Sequence, residues 1–174
     1  MRIESPAFTA EDVRAFMDTY LDRERHILAG RLQIASDRLA ALAPRVPSGP
    51  SDDAEWNAHE LLAHIAVLSK FYGVLVHQIS TAKLPNMDLL QAVNLRDDAG
   101  KKMSELEPAE LARIIAADHA RTISALRSTD PMELRRSAEL GDGMTMTAEE
   151  VARLPLISHL EMHIDELQKL VDRD

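Results

Sequence analysis

The sequence predicts an all-α protein: a four-helix bundle in which residues 1–174 form one domain. The length fits one domain rather than two and is sufficient to bury a core without staples. Aromatic residues are only 3 % of the chain while apolar residues are 45 %, so the core must be built from Leu, Ile, Val, Ala and Met. That palette favours helices over sheet. The apolar residues also recur at helical spacing through most of the chain.

Each element follows from local chemistry. Thr9 with Asp12 reads as a helix start, because a hydroxyl and an acid satisfy the first free N–H groups. From there Met17, Leu21, Leu28, Leu32, Ala35, Leu39 and Leu42 keep one stripe, which predicts a first helix over about residues 10–43. At 1.5 Å per residue it would be roughly 50 Å long, enough to admit a bend. Residues 44–53 hold three prolines and a glycine and read as a linker. A second helix is expected from near Asp53 to about Thr81, with Leu61, His64, Leu68, Phe71 and Leu75 inward. Pro85 and Asn86 break it, and residues 87–99 form a weaker helical stretch ending near Gly100.

Pro108 suits the first turn of a further helix, which should run to about residue 128 with Leu111, Ile114, Ile115 and Ile123 inward. Residues 129–147 read as turns, with a small hairpin around Gly141, Asp142 and Gly143. Thr147 and Glu150 form a capping box for a last helix reaching about residue 171. Pro155 should kink that helix or divide it into a short turn and a longer piece.

Composition narrows the chemistry. There is no cysteine, so thiolate metal sites, disulfides and a cysteine nucleophile are excluded. Any metal must be held by nitrogen and oxygen. The net charge of −9 and the lack of a basic run argue against nucleic acid as a partner. No uninterrupted apolar run approaches the ~20 residues of a membrane span. The first residues lack the apolar core of a signal peptide, so the sequence is read as soluble and cytoplasmic, with no membrane partner.

The informative constellation is in the last helix. His159 and His163 are four residues apart, which places both imidazoles on one face at metal-chelating spacing. They share a stripe with Leu156, Leu160, Leu167 and Leu170 and should therefore turn inward. His64 does the same on the second helix, between Leu61 and Leu68. An inward imidazole needs a partner, because an unmet buried polar group costs roughly 1–3 kcal/mol. A shared metal satisfies all three at once; a backbone carbonyl or a carboxylate for each is the bland alternative.

These residues resemble the DinB/YfiT-like family. The segment Trp56-Asn-Ala-His-Glu-Leu-Leu-Ala-His64 matches its pattern of a tryptophan, a polar helix start and a histidine eight positions on. His159-Leu-Glu-Met-His163 matches its second motif. The resemblance covers nearly the whole chain. It implies a four-helix bundle, often a homodimer, with His64, His159 and His163 on one divalent metal, usually zinc or nickel. It also implies an enzyme acting on a small molecule, either a hydrolase or a transferase or isomerase using a low-molecular-weight thiol. Many relatives carry Glu directly after the first histidine of the pair and Gln a turn past the second; here Leu160 and Glu166 or Leu167 stand there, which leaves the ligands intact and changes what orients them.

Three neutral imidazoles leave an open coordination position, the form of a catalytic rather than a structural site. Around the triad, Glu60 is one turn before His64 and is the candidate catalytic carboxylate or fourth ligand. Asn57 is a candidate for lining the pocket, and Glu166 for orienting an imidazole. Each also has an ordinary reading, as a helix-start residue or a solvated surface group. Glu161 should face solvent or another subunit, and Trp56 should anchor the core. His26, His59, His77 and His119 have no partner at chelating spacing. The competing class of function is a non-catalytic, stress-related binding or scaffold bundle whose metal is structural or absent.

Overall fold

A computed structural model describes residues 9–49, 57–88, 100–141 and 143–173. The expected tryptophan anchor and most of the weak helical stretch at 87–99 lie outside these residues; the second helix, expected from near Asp53, begins instead at Ala58, because Asn57 is extended and caps it. The described part is mostly helical. Its long helices are α1 (Ala10–Leu42), α2 (Ala58–Ser80) and α3 (Pro108–Ser128), with one further helical turn at 100–103. The C-terminal part holds a two-stranded hairpin, β1 (Ser137–Glu139) and β2 (Thr145–Thr147), followed by a continuous helical run. That run comprises α4 (Ala148–Val151), a π-helical stretch (Ala152–Ser158) and α5 (His159–Val171).

The helix starts obey their local signals. Thr9 caps α1 through a reciprocal box with Asp12, and Thr147 caps α4 in the same way with Glu150. Asn57 caps α2: its side-chain oxygen accepts from the Glu60 N–H at 2.8 Å, and Glu60 Oε2 accepts from the Asn57 N–H at 3.0 Å. Pro108 occupies the first turn of α3. The hairpin turn places Gly141 and Gly143 at φ of 88° and 75°, the left-handed region that glycine enters without a Cβ penalty.

The core forms where α1, α2, α3 and the C-terminal run meet. Leu28 and Leu32 from α1, Leu62 and Ile65 from α2, Leu111 and Ile115 from α3, and Ile157 and Ile164 are all fully buried. Ile114, expected inward, is only half-buried because the α3 stripe turns on Leu111 and Ile115. At Gly73 the absence of a side chain lets α2 approach α3 closely: a Cβ there would lie 2.5 Å from Thr122 Oγ1. α2 is long and apolar enough, by length and composition, to cross a membrane, although polar residues interrupt every apolar run in it. Its most apolar window is 61 % buried inside this fold, as expected of a central core helix.

Pro155 divides the last helical run without ending it. An α-helical turn there would drive the proline ring against the carbonyl four residues earlier. The wider π turns over 152–158 absorb it, and His159 N–H donates back to Leu154 O, five residues before. The run is thus divided at the proline, as expected, and its helical residues pass directly into α5.

Candidate metal centre

His64 projects from the second turn of α2, and His159 and His163 project from consecutive turns of α5. One ring nitrogen from each lies within 4.8 Å of the others. The His159 and His163 Nε2 atoms are 2.8 Å apart. The ring centroids of His64 stand 5.0 Å from His163 and 6.3 Å from His159, with the rings nearly perpendicular. Rings so arranged aim nitrogens at a common point instead of stacking.

A divalent ion held by imidazoles at about 2.0–2.1 Å needs nitrogens roughly 3.3 Å apart in tetrahedral geometry. The separations here, from 2.8 Å to at most 4.8 Å, bracket that value. The donor set fits as well: three nitrogen ligands without thiolate suit zinc, nickel and similar ions. The cluster could therefore hold a metal. It has three members, and Glu60 is not among them.

The surroundings hold the histidines in place. His163 is buried, and its Nδ1–H donates to Glu166 Oε2 at 2.7 Å, which leaves the Nε2 lone pair facing the centre. The turn that carries His159 is tied to α1. Arg31 grips Glu161 with two bonds, of 3.0 Å and 2.6 Å, and reaches Ser158 Oγ at 3.2 Å. Glu161, expected to face solvent or another subunit, is instead engaged within the chain. A second clamp joins Arg153, in the π stretch, to Glu149 and to Glu24 of α1.

Sequence reasoning brought out the three histidines and Glu166. It missed Arg31, which is 130 residues from Glu161 and carries no motif of its own. Asn57 and Glu60 are found in the α2 capping box, and Asn57 Nδ2 also donates to Gly49 O at 3.0 Å. The remaining histidines lie apart from the cluster. His59 bridges two backbone groups, accepting from Gly49 N–H and donating to Leu106 O, both at 2.8 Å. His119 is buried with its Nε2 2.9 Å from Ser69 Oγ, and burial pushes its pKa down to about 4. Two surface cavities, of about 560 and 520 Å³, lie between α1 and α3 and between α2 and α3, and none of the three histidines lines either one.

A helical fold that converges three imidazoles from two helices on one point defines a candidate metal-binding helical protein. The chain belongs to the family of mycothiol maleylpyruvate isomerase N-terminal domains, whose model matches residues 31–168. This agrees with the DinB/YfiT-like resemblance of its motifs. Among solved structures, the fold is similar to that of a mycothiol-dependent maleylpyruvate isomerase, with a TM-score of 0.59 and 21 % identity over 87 % of this chain. A histidine-to-alanine variant of such an isomerase matches equally, at 20 % identity and a TM-score of 0.59. The chain spans 59 % of the length of each of these isomerases. No curated protein matches the sequence.

Proposed function

We propose that this chain is a divalent-metal-dependent enzyme of the DinB/YfiT-like group, built as a four-helix bundle, that uses a low-molecular-weight thiol to transform a small electrophilic molecule. The observation that carries this reading is the convergence of His64, His159 and His163 in a member of a family named for a mycothiol-dependent isomerase. Zinc or nickel is the proposed ion. Bound there, it would supply Lewis acidity, lowering the pKa of a thiol or water at its open position.

The chain's own residues have separable roles. His64, His159 and His163 hold the ion. Glu166 fixes the tautomer and direction of the His163 ring. Glu60, whose Oε2 is committed to the α2 cap, is proposed to accept a proton through its other oxygen, and Asn57 to line the approach beside it. A cytoplasmic homodimer is part of the same proposal. A thiol-dependent transferase is preferred over a hydrolase, because the relatives with solved structures are thiol-dependent by name.

The test is metal analysis of tag-free protein, wild type beside His163→Ala, followed by thiol titration of the cobalt-substituted form. About one equivalent of metal in the wild type, lost in the variant, supports the centre. A shift of the cobalt spectrum on adding mycothiol supports the thiol. A cobalt form indifferent to thiols, with hydrolytic turnover instead, transfers the assignment to a hydrolase. Wild-type protein that takes up neither zinc nor nickel overturns the enzyme reading and leaves a non-catalytic bundle.

A further inference from the structure

Seven polar or charged side chains are buried among the described residues, and four of them gather at one place outside the metal centre. Ser69, Asp118 and Thr122 line the cavity of about 520 Å³ between α2 and α3, and His119 is joined to Ser69, with its Nε2 2.9 Å from the hydroxyl. That volume lies in the range of small-molecule sites. The cavity between α1 and α3 is about as large, yet none of the seven lines it.

The Asp118 side chain is only 8 % exposed, and it is half satisfied. Its Oδ1 accepts from Arg121 Nη2, while Oδ2 is buried with no hydrogen-bond partner among the described residues. Burying a carboxylate in this way costs stability that no bond within the described chain recovers. What it does is hold the Arg121 guanidinium at the cavity, with Nε and Nη1 still available to donate. Lys70 and Lys83 line the same cavity and form no ion pair among the described residues. His119 Nδ1 is buried without a partner, so the ring proton belongs on Nε2, where Ser69 Oγ accepts it. Burial keeps that ring neutral, with its pKa pushed down to about 4. The Ser69 hydroxyl proton is then left to donate toward the cavity it lines.

We propose that the α2–α3 cavity binds a small dianion, a dicarboxylate or a phosphate group, between Lys70, Lys83 and Arg121, with the Ser69 hydroxyl donating from the wall. His77 aside, the charged residues described on the cavity are these three cations and Asp118, so it holds two uncompensated positive charges in a chain whose net charge is −9. A monoanion leaves one of those charges unmet, and a cation is repelled. The planar guanidinium suits carboxylate and phosphate oxygens alike, and the two ammonium groups add charge without fixing direction. None of the metal-centre histidines lines this cavity, so the site is separate from that centre and does not depend on it.

The test is isothermal titration of the full chain with succinate and with inorganic phosphate, beside acetate, at fixed ionic strength. At least one dianion should bind saturably at about one equivalent, and acetate more weakly. Preference for succinate assigns an organic dicarboxylate, and preference for phosphate a phosphate group. Lys70→Gln combined with Lys83→Gln should weaken binding roughly 10-fold. Ser124→Glu puts a negative charge at an exposed helical position on the cavity and should abolish binding without disturbing the helix, as circular dichroism would verify. Lys169→Gln removes the same charge from α5, away from the cavity, and should change little. His163→Ala should bind the dianion as the wild type does. Loss of binding in His163→Ala moves the anion to the metal centre and overturns the cavity site. Equal weakening by Lys169→Gln reduces the effect to overall charge and overturns it too. So does the absence of saturable binding by either dianion, or binding that survives both the double lysine variant and Ser124→Glu.

Discussion

Glu166 Oε2 sits 2.7 Å from His163 Nδ1, one helical turn along α5. The carboxylate decides which nitrogen of that ring carries the proton, and so which one is free for a metal. Glu166→Ala should weaken metal binding about 10- to 100-fold while leaving the fold intact. Competition against a chromophoric chelator measures this directly. An unchanged affinity would mean that packing alone orients the ring.

Arg31 acts on His159 through the backbone. Its bonds to Glu161 and Ser158 bracket His159, the first residue after the π turns. Arg31→Ala should lower metal affinity and broaden the cobalt absorption bands, because the His159 turn is released. Arg31→Lys should restore little, since an ammonium cannot reproduce the two-pronged grip. Full rescue by lysine would reduce the contact to simple charge pairing.

Asn57→Ala removes the α2 cap and should cost about 1 kcal/mol of stability. If Asn57 also lines the approach to the centre, thiol affinity in the cobalt form should fall as well. Comparing urea denaturation with thiol titration on the same variant separates the two roles.

Gly73→Ala tests the α2–α3 contact. In an open helix this change stabilises by about 1 kcal/mol. Here the new Cβ would meet Thr122 Oγ1 at 2.5 Å, and that hydroxyl is already donated to Asp118 O at 3.0 Å. The single variant should be destabilised by about 1–3 kcal/mol. Combining it with Thr122→Ala should recover most of the loss, measured by urea midpoint.

Burial lowers the His119 pKa to about 4, against an ordinary value of 6.5. Below pH 6.5 the unfolded chain binds a proton that the folded chain refuses, so stability falls as the pH drops and levels off below about 4. Between pH 7 and pH 4.5 this group alone should remove about 2 kcal/mol. His119→Gln should flatten that part of the acid limb in urea titrations. An unchanged limb would assign the acid sensitivity to other groups.

Helix starts were legible in the sequence wherever a cap and an apolar stripe coincided. Thr9, Thr147 and Pro108 sit at the positions their chemistry predicted. The three histidines were legible for a related reason: polar residues on an apolar stripe must meet something, and helical periodicity says which way they face. The hairpin around Gly141 and Gly143 could be read from its glycines.

What the sequence determined by itself is therefore local: which residues start helices, which faces are apolar, and which side chains are forced inward. Tertiary structure alone decided three things. It brought His64 to the α5 pair, set Arg31 on the turn that carries His159, and resolved Pro155 as a π-helical stretch. It also decided which apolar residues of α1 the core would take, leaving Val13, Tyr20, Ile27 and Ile34 exposed. The division has a physical cause. Capping and periodicity act over a few residues, whereas a partner more than ninety residues away is chosen by how whole helices pack.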